Sequence, residues 1–264
     1  MSMNARPFTD AADAYDHHMG RYGAQLAGGL IDIADVRPGQ RVLDVGCGPG
    51  PLTRALADRT GAASVAAVDP SPAFVEACRT RIPGADARVG VAEQLPFPSA
   101  TFDTTLAQLV VQLMDDRDAG VTEMIRVTRP GGTVAACVWD STTMPVLRAF
   151  WDAARAVAPE FAGALDDGRR VGYGRPDELG QLWSAHGLVG VLTGDLSVGA
   201  AYASFDDLFA PFAAGAGQSG ACYTALDHAG QRRLRDETHR LLGRPEEPFT
   251  LTARAWWVRG SVRT

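Results

Sequence analysis

The sequence predicts an α/β fold, a parallel sheet covered by helices, and three observations predict it. Between Gln40 and Trp139, short apolar runs alternate with stretches of helical periodicity. The runs recur at the spacing of βαβ units, whose right-handed crossovers lay helices on a parallel sheet. The first run opens into a glycine-rich turn, VLDVGCGPG at 42–50, at the carboxyl end of a strand. Open sheets of this class bind their ligands there.

Each element has its own signal. Residues 10–36 read as helix because Tyr15, His18, Met19, Tyr22 and Leu26 fall on one face. RVLDV (41–45) is a β-branched strand stopped by glycines, and SVAAVD (64–69) is the second. ARVGV (87–91), FDTTLAQ (102–108) and GTVAACVW (132–139) complete the core strands. Between them lie the helical stretches PLTRALADRT, SPAFVEACRTR and the segment 116–128, which Arg129-Pro130-Gly131-Gly132 terminates.

Beyond Trp139 the rhythm breaks. Leu147, Phe150, Trp151, Ala154 and Val157 mark an amphipathic helix; Leu179, Leu182 and Trp183 mark another, closed by Gly187. LVGVLTG (188–194) reads as a strand, and Phe205, Leu208, Phe209 and Phe212 form a stripe that fits core packing or a substrate pocket. A loop with Gly215, Gly217 and Gly220 is expected next, then a helix over 231–242 and a last strand, TLTARAWWVRG (250–260). The domain reading is one domain over 1–264, with N-terminal lid helices (1–39), a ligand-binding core (40–139), cap segments (141–180 and 203–243) and last strands (188–194 and 250–260).

Composition removes whole classes of chemistry. All 25 basic residues among 264 are arginine. Without lysine there is no Schiff-base amine, no Walker A lysine and no kinase strand lysine, which excludes pyridoxal phosphate enzymes, class I aldolases, P-loop NTPases and protein kinases. A net charge of -6 disfavours a broad nucleic-acid or anionic-membrane footprint. Cys47, Cys78, Cys137 and Cys222 form no CxxC pair, which fits reduced thiols in the cytoplasm. The first twenty residues hold Arg6, Asp10, Asp13 and Asp16 and no apolar run, so no signal peptide is expected, and no run reaches the length of a membrane span.

The glycine loop is the sharpest feature. Gly46, Gly48 and Gly50 let backbone approach a ligand closely, and Pro51 suits the first turn of the helix that follows. A dinucleotide loop needs GxGxxG, but proline occupies position 51 and puts the third glycine out of register. Asp44 would repel pyrophosphate and attract an α-ammonium group, although it could instead cap a neighbouring helix. Asp69 ends the second strand, where an acidic side chain can accept both ribose hydroxyls. A ligand with a ribose at one end and an amino acid at the other is S-adenosylmethionine.

The stretches VLDVGCGPG, VAAVDPSP, VGVAEQLPFPSATFD and EMIRVTRPGGTVAACVW, in this order and spacing, resemble class I S-adenosylmethionine-dependent methyltransferases. Within them the chain is similar to the bacterial small-molecule, methyltransferase type 11-like group. The resemblance implies a doubly wound, Rossmann-like seven-stranded sheet whose seventh strand is antiparallel, with helical cap insertions. It also implies residue roles. Asp44, Gly46, Cys47 and Gly48 would lie along the methionine moiety, Asp69 would bind the ribose, and Pro70 would sit beside the adenine. Ala92 and Glu93 match the stretch at the adenine edge, and Gln108 the position just past the fourth strand. Val91 departs from relatives that carry aspartate there, which leaves the adenine amino group to Glu93 or to backbone. Tyr15 and Tyr22 would belong to a lid over the cofactor or to core packing.

Other side chains read less sharply. Arg21 could meet the methionine carboxylate or lie on the surface, and His18 could be a base or simply exposed. Trp139 and Asp140 stand just past the fifth strand, where such sheets build sites. Methyl transfer from a sulfonium is an in-line displacement that needs little acid–base machinery, so no catalytic base is assigned. Neither a metal-ligand cluster nor an [ND]PP[YFW] loop is present in the sequence, where the region after the fourth strand reads LAQLVVQL. The expected activity is metal-independent methylation of O, N or C on a small organic acceptor, with neither nucleic acid nor membrane as partner. The alternatives are a non-catalytic protein binding the same cofactor and a nicotinamide-dependent oxidoreductase.

Overall fold

The structure, a computed structural model, describes residues 20–165, 176–215 and 217–264. Tyr15 and His18 lie outside the described residues. The chain forms two compact units. One comprises Gly23–Trp139, Tyr173–Leu196 and Ala255–Thr264; the other comprises Met1–Tyr22, Asp140–Gly172 and Ser197–Arg254.

Seven strands make one sheet: β1 (Val42–Val45), β2 (Val65–Asp69), β3 (Asp86–Val89), β4 (Phe102–Gln108), β5 (Thr128–Trp139), β6 (Val189–Tyr202) and β7 (Phe249–Ser261). Their order is β3-β2-β1-β4-β5-β7-β6. β1 to β5 pair in parallel and β7 runs antiparallel to β5, as the resemblance implied. Strand order reverses between β1 and β4, so the carboxyl ends of these two strands flank the switch point where such sheets bind ligands. All residues of β1 and β2 are buried. Burial on both faces explains their unbroken apolar runs.

The helices of the sheet unit begin where local chemistry lets them. α1 covers Arg21–Ile33, and residues 10–19 of the helix expected over 10–36 lie outside the described residues. α2 (Pro51–Thr60) starts on Gly50 in a left-handed conformation, with proline in the first turn. α3 (Pro72–Arg81) is capped by the Ser71 hydroxyl, which accepts the N–H of Phe74 at 3.4 Å. α4 (Arg117–Val127) is capped by Asp116, which accepts the N–H of Ala119 at 3.0 Å. Leu43, Val45, Phe102, Val134, Val138 and Trp183 lie in one buried cluster. Trp183 enters it from α7 (Pro176–Ala185), and its indole donates to the Val134 carbonyl at 3.0 Å.

The other unit is mostly helical: α5 (Pro145–Val157), α6 (Pro159–Leu165), α8 (Phe205–Ala213), α9 (Gly217–Thr224) and α10 (His228–Leu241). Phe150 meets Phe212 with ring centroids 4.6 Å apart and Trp151 at 5.3 Å, so the Phe205–Phe212 stripe is buried core. Two departures from the sequence reading have a common cause. The loop expected around Gly215–Gly220 contains α9, and β6 continues past Gly194 to Tyr202. A Cβ on Gly220 would stand 2.2 Å from the Gly215 backbone, and one on Gly194 would stand 2.6 Å from the Trp257 ring. Both glycines allow close packing within an element; they do not break one.

Candidate functional site

The loop after β1 is built by the sheet and by glycine together. The N–H groups of Gly46 and Cys47 both donate to the Val68 carbonyl, at 2.7 and 2.9 Å, which ties the loop to the end of β2. Gly46 has φ 73°, and a Cβ there would meet Val110 at 2.3 Å. Gly48 has φ 52°, yet nothing lies within 4 Å of where its Cβ would stand. Gly46 is glycine for packing; Gly48 borders open space that a side chain would fill.

Two buried carboxylates stand beside this loop with different partners. Asp69 is 7% exposed and held by backbone alone: Oδ2 accepts the N–H of Gly48 and Oδ1 the N–H of Ser71, each at 2.9 Å. Each oxygen keeps lone-pair capacity for a further donor. Burial raises its carboxyl above the usual range, and the two N–H donors oppose that rise.

Asp44, on β1, is 1% exposed. Its Oδ2 accepts from the Thr53 hydroxyl of α2 at 2.6 Å, while Oδ1 is buried with no hydrogen-bond partner among the described residues. Burial pushes this carboxyl up to about 7, the Thr53 hydrogen bond works against the shift, and the charge of Asp69 adds to it. The helix-capping alternative is therefore met in part, because Asp44 does face the first turn of α2. Its second oxygen is left over.

Gln108 ends β4, the strand beside β1. Its amide nitrogen donates to the Gly23 carbonyl at 3.2 Å, and its Oε1 is buried and without a partner. Two orphaned acceptors, one negative when ionised, thus sit at the ends of the strands that flank the switch point. Each unmet acceptor costs on the order of 1–3 kcal/mol. An N–H donor reaching either oxygen would supply the partner it lacks.

The remaining expected residues are placed as follows. Cys47 is buried, and its hydrogen bond with Cys78 together with burial pushes its thiol up, so it stays protonated and non-nucleophilic. Pro70 is exposed next to Asp69, and Ala92 is buried. Oε1 of Glu93 accepts from the N–H groups of Asp115 and Asp116, at 2.9 and 3.3 Å, which commits that oxygen to the loop before α4. Tyr22 is buried, with its hydroxyl 3.1 Å from that of Tyr202. Arg21 forms a two-pronged ion pair with Asp207 and donates to the Ala201 carbonyl at 2.9 Å. Asp140 is taken up structurally: it accepts from Thr143 at 2.8 Å and from Arg254 at 2.7 Å, and also from Thr142.

Sequence reasoning missed Thr53 and Val110. Thr53 looks like an ordinary helical residue until α2 is laid against β1. Val110 follows Leu109, a non-glycine residue at φ 63°, and that turn brings it over Gly46. Among the described residues, no three His, Cys, Asp or Glu side chains converge to hold a metal ion, and no helix is long and apolar enough to cross a membrane.

Comparison with known proteins places this geometry in context. Residues 43–136 match a family described as a methyltransferase domain. A malonyl-[acyl-carrier protein] O-methyltransferase of Serratia marcescens is 34% identical over 130 residues, 49% of this chain and 50% of the relative. A ubiquinone/menaquinone biosynthesis C-methyltransferase of Hydrogenovibrio crunogenus is 31% identical over 129 residues, 46% of this chain and 51% of the relative. The matched stretch thus spans about half the length of these two relatives. Among solved structures, a Haloferax volcanii chain in complex with the Trm112 methyltransferase activator superposes with a TM-score of 0.60 at 20% identity, covering 100% of both chains. That likeness is one of fold.

Proposed function

We propose, from the match of residues 43–136 to a family described as a methyltransferase domain, that the chain transfers a methyl group from S-adenosylmethionine to a small organic acceptor. The observation that carries the proposal is the buried, unpartnered Oδ1 of Asp44 beside a loop whose backbone borders open space at Gly48. These residues fit a molecule with an ammonium group at one end and a ribose in the middle. Asp44 Oδ1 and Gln108 Oε1 accept from the ammonium. The backbone of Cys47 and Gly48 runs along the amino-acid part, and the spare lone pairs of Asp69 accept from the ribose hydroxyls. Pro70, Ala92 and Glu93 border the base.

When bound, S-adenosylmethionine supplies a methyl group made electrophilic by its sulfonium sulfur. The residues named above bind and orient; none of them takes a proton from the acceptor. Correct alignment contributes as much as about 7–11 kcal/mol to such a displacement, against about 3–5 kcal/mol from a general base. A site of carboxylates, amide and backbone that aligns its ligand therefore suits the reaction, and no catalytic base is assigned. The relatives act on oxygen in one case and carbon in another by their names, and O, N and C acceptors all stay within the proposal. The four cysteines are buried and unpaired, which supports a reducing cytoplasm as the location.

The test is transfer of a radiolabelled methyl group from S-adenosylmethionine into a panel of small hydroxyl, carboxyl, amine and activated-carbon acceptors. Label in at least one product, reduced about tenfold or more at limiting S-adenosylmethionine in Asp69→Ala, supports the reading. Binding of the cofactor with no transfer to any acceptor class would favour a non-catalytic binding protein.

A further inference from the structure

One buried side chain of the loop region touches no ligand in the reading above, yet it holds the residue that would. Thr53 is fully buried in the first turn of α2, between the buried side chains of Leu52 and Leu56 in sequence. A hydroxyl there needs a partner, and it donates to Asp44 Oδ2 at 2.6 Å. The Thr53 backbone N–H faces the same carboxylate. Oδ1 remains without a partner among the described residues.

Resting on the cofactor reading, we propose that Thr53 is the positioning residue of this site: by occupying Oδ2 it fixes the plane of the Asp44 carboxylate and leaves Oδ1 as the acceptor for the cofactor's ammonium. Valine has a similar shape but no hydroxyl, so Thr53→Val removes the donor to Asp44. The charges around Asp44 call for that donor. Asp69 from β2, Cys47 from the loop and Cys78 from α3 are the titratable groups that act with it. Each is negative when ionised, so none of them helps Asp44 hold its own charge. The Thr53 hydroxyl does, because a hydrogen bond donated to a carboxylate favours the ionised form. Ammonium capture requires that form. Thr53 thereby sets the pH range in which the site accepts its ligand.

The experiment measures affinity for S-adenosylhomocysteine and for 5′-methylthioadenosine, which lacks the amino-acid end, from pH 5.5 to 8.5. It compares wild type, Thr53→Val and Thr53→Ser, with thermal unfolding recorded for each. Thr53→Val should weaken S-adenosylhomocysteine binding about tenfold or more at pH 7 and move the midpoint of its pH dependence up by about one unit. Thr53→Ser should restore both values, and methylthioadenosine affinity should change less than about twofold in all three proteins. An unmoved midpoint in Thr53→Val, or an equal loss for both ligands, overturns the role of Thr53 alone. If wild type binds neither ligand, the cofactor reading falls, and this proposal with it.

Discussion

Asp44 and Asp69 lie beside one loop, but their partners give them different chemistry. Asp69 is a rigid acceptor held by two backbone N–H groups, so Asp69→Ala should weaken S-adenosylhomocysteine binding by about 1.5–3 kcal/mol in calorimetry, the scale of hydrogen bonds to a charged group. Asp44 is a titrating one. Its folded carboxyl is raised to about 7, so the neutral form stabilises the free protein; that contribution is complete below about 4 and is lost as pH rises through about 7. An ammonium ligand favours the opposite form. Affinity should therefore climb by up to about tenfold per pH unit toward 7 and level off above it, with proton release seen as a buffer-dependent heat. Asp44→Asn should flatten the profile. The glycines separate as cleanly: Gly46→Ala drives a Cβ into Val110 and should lower stability by about 1–3 kcal/mol. Gly48→Ala meets open space but strains a backbone at φ 52°, so it should cost about 1 kcal/mol of stability as well as ligand affinity. Asp44, Gly46, Gly48 and Asp69 were legible because each is a short-range pattern at a strand end. Thr53 was not, since its partner lies nine residues back on another element.

At the scale of elements, the central strands were the easiest to read. β4 spans Phe102–Gln108 and α2 spans Pro51–Thr60, both as expected, because burial on both faces and a proline start leave clear marks in sequence. α9 and the far half of β6 were obscured by glycines whose reason is close packing, against Gly215 for one and against the distant Trp257 for the other. The same kind of distance explains Asp140, which stood where a site residue could stand. Its carboxylate is 1% exposed and holds Arg254 at 2.7 Å, tying the end of β5 to β7. Arg254→Ala should lower unfolding stability by about 2–3 kcal/mol, less than for a fully buried pair because water reaches the arginine. Denaturant unfolding with an unchanged slope would measure it.

At the scale of the molecule, composition and topology agree on what the site can hold. A chain without lysine has no Schiff-base chemistry, and the loop places a carboxylate where a dinucleotide would bring pyrophosphate. The sheet order turns at β1 and β4, and the two orphaned acceptors, on Asp44 and Gln108, belong to those strands. The fold was legible because parallel strands announce themselves by repetition. Titration calorimetry of the wild-type protein with S-adenosylhomocysteine at pH 8, beside NAD in the same buffer, tests the central claim most directly. One-to-one binding of S-adenosylhomocysteine, with NAD silent, is the predicted result; binding of NAD with no heat from S-adenosylhomocysteine would contradict it.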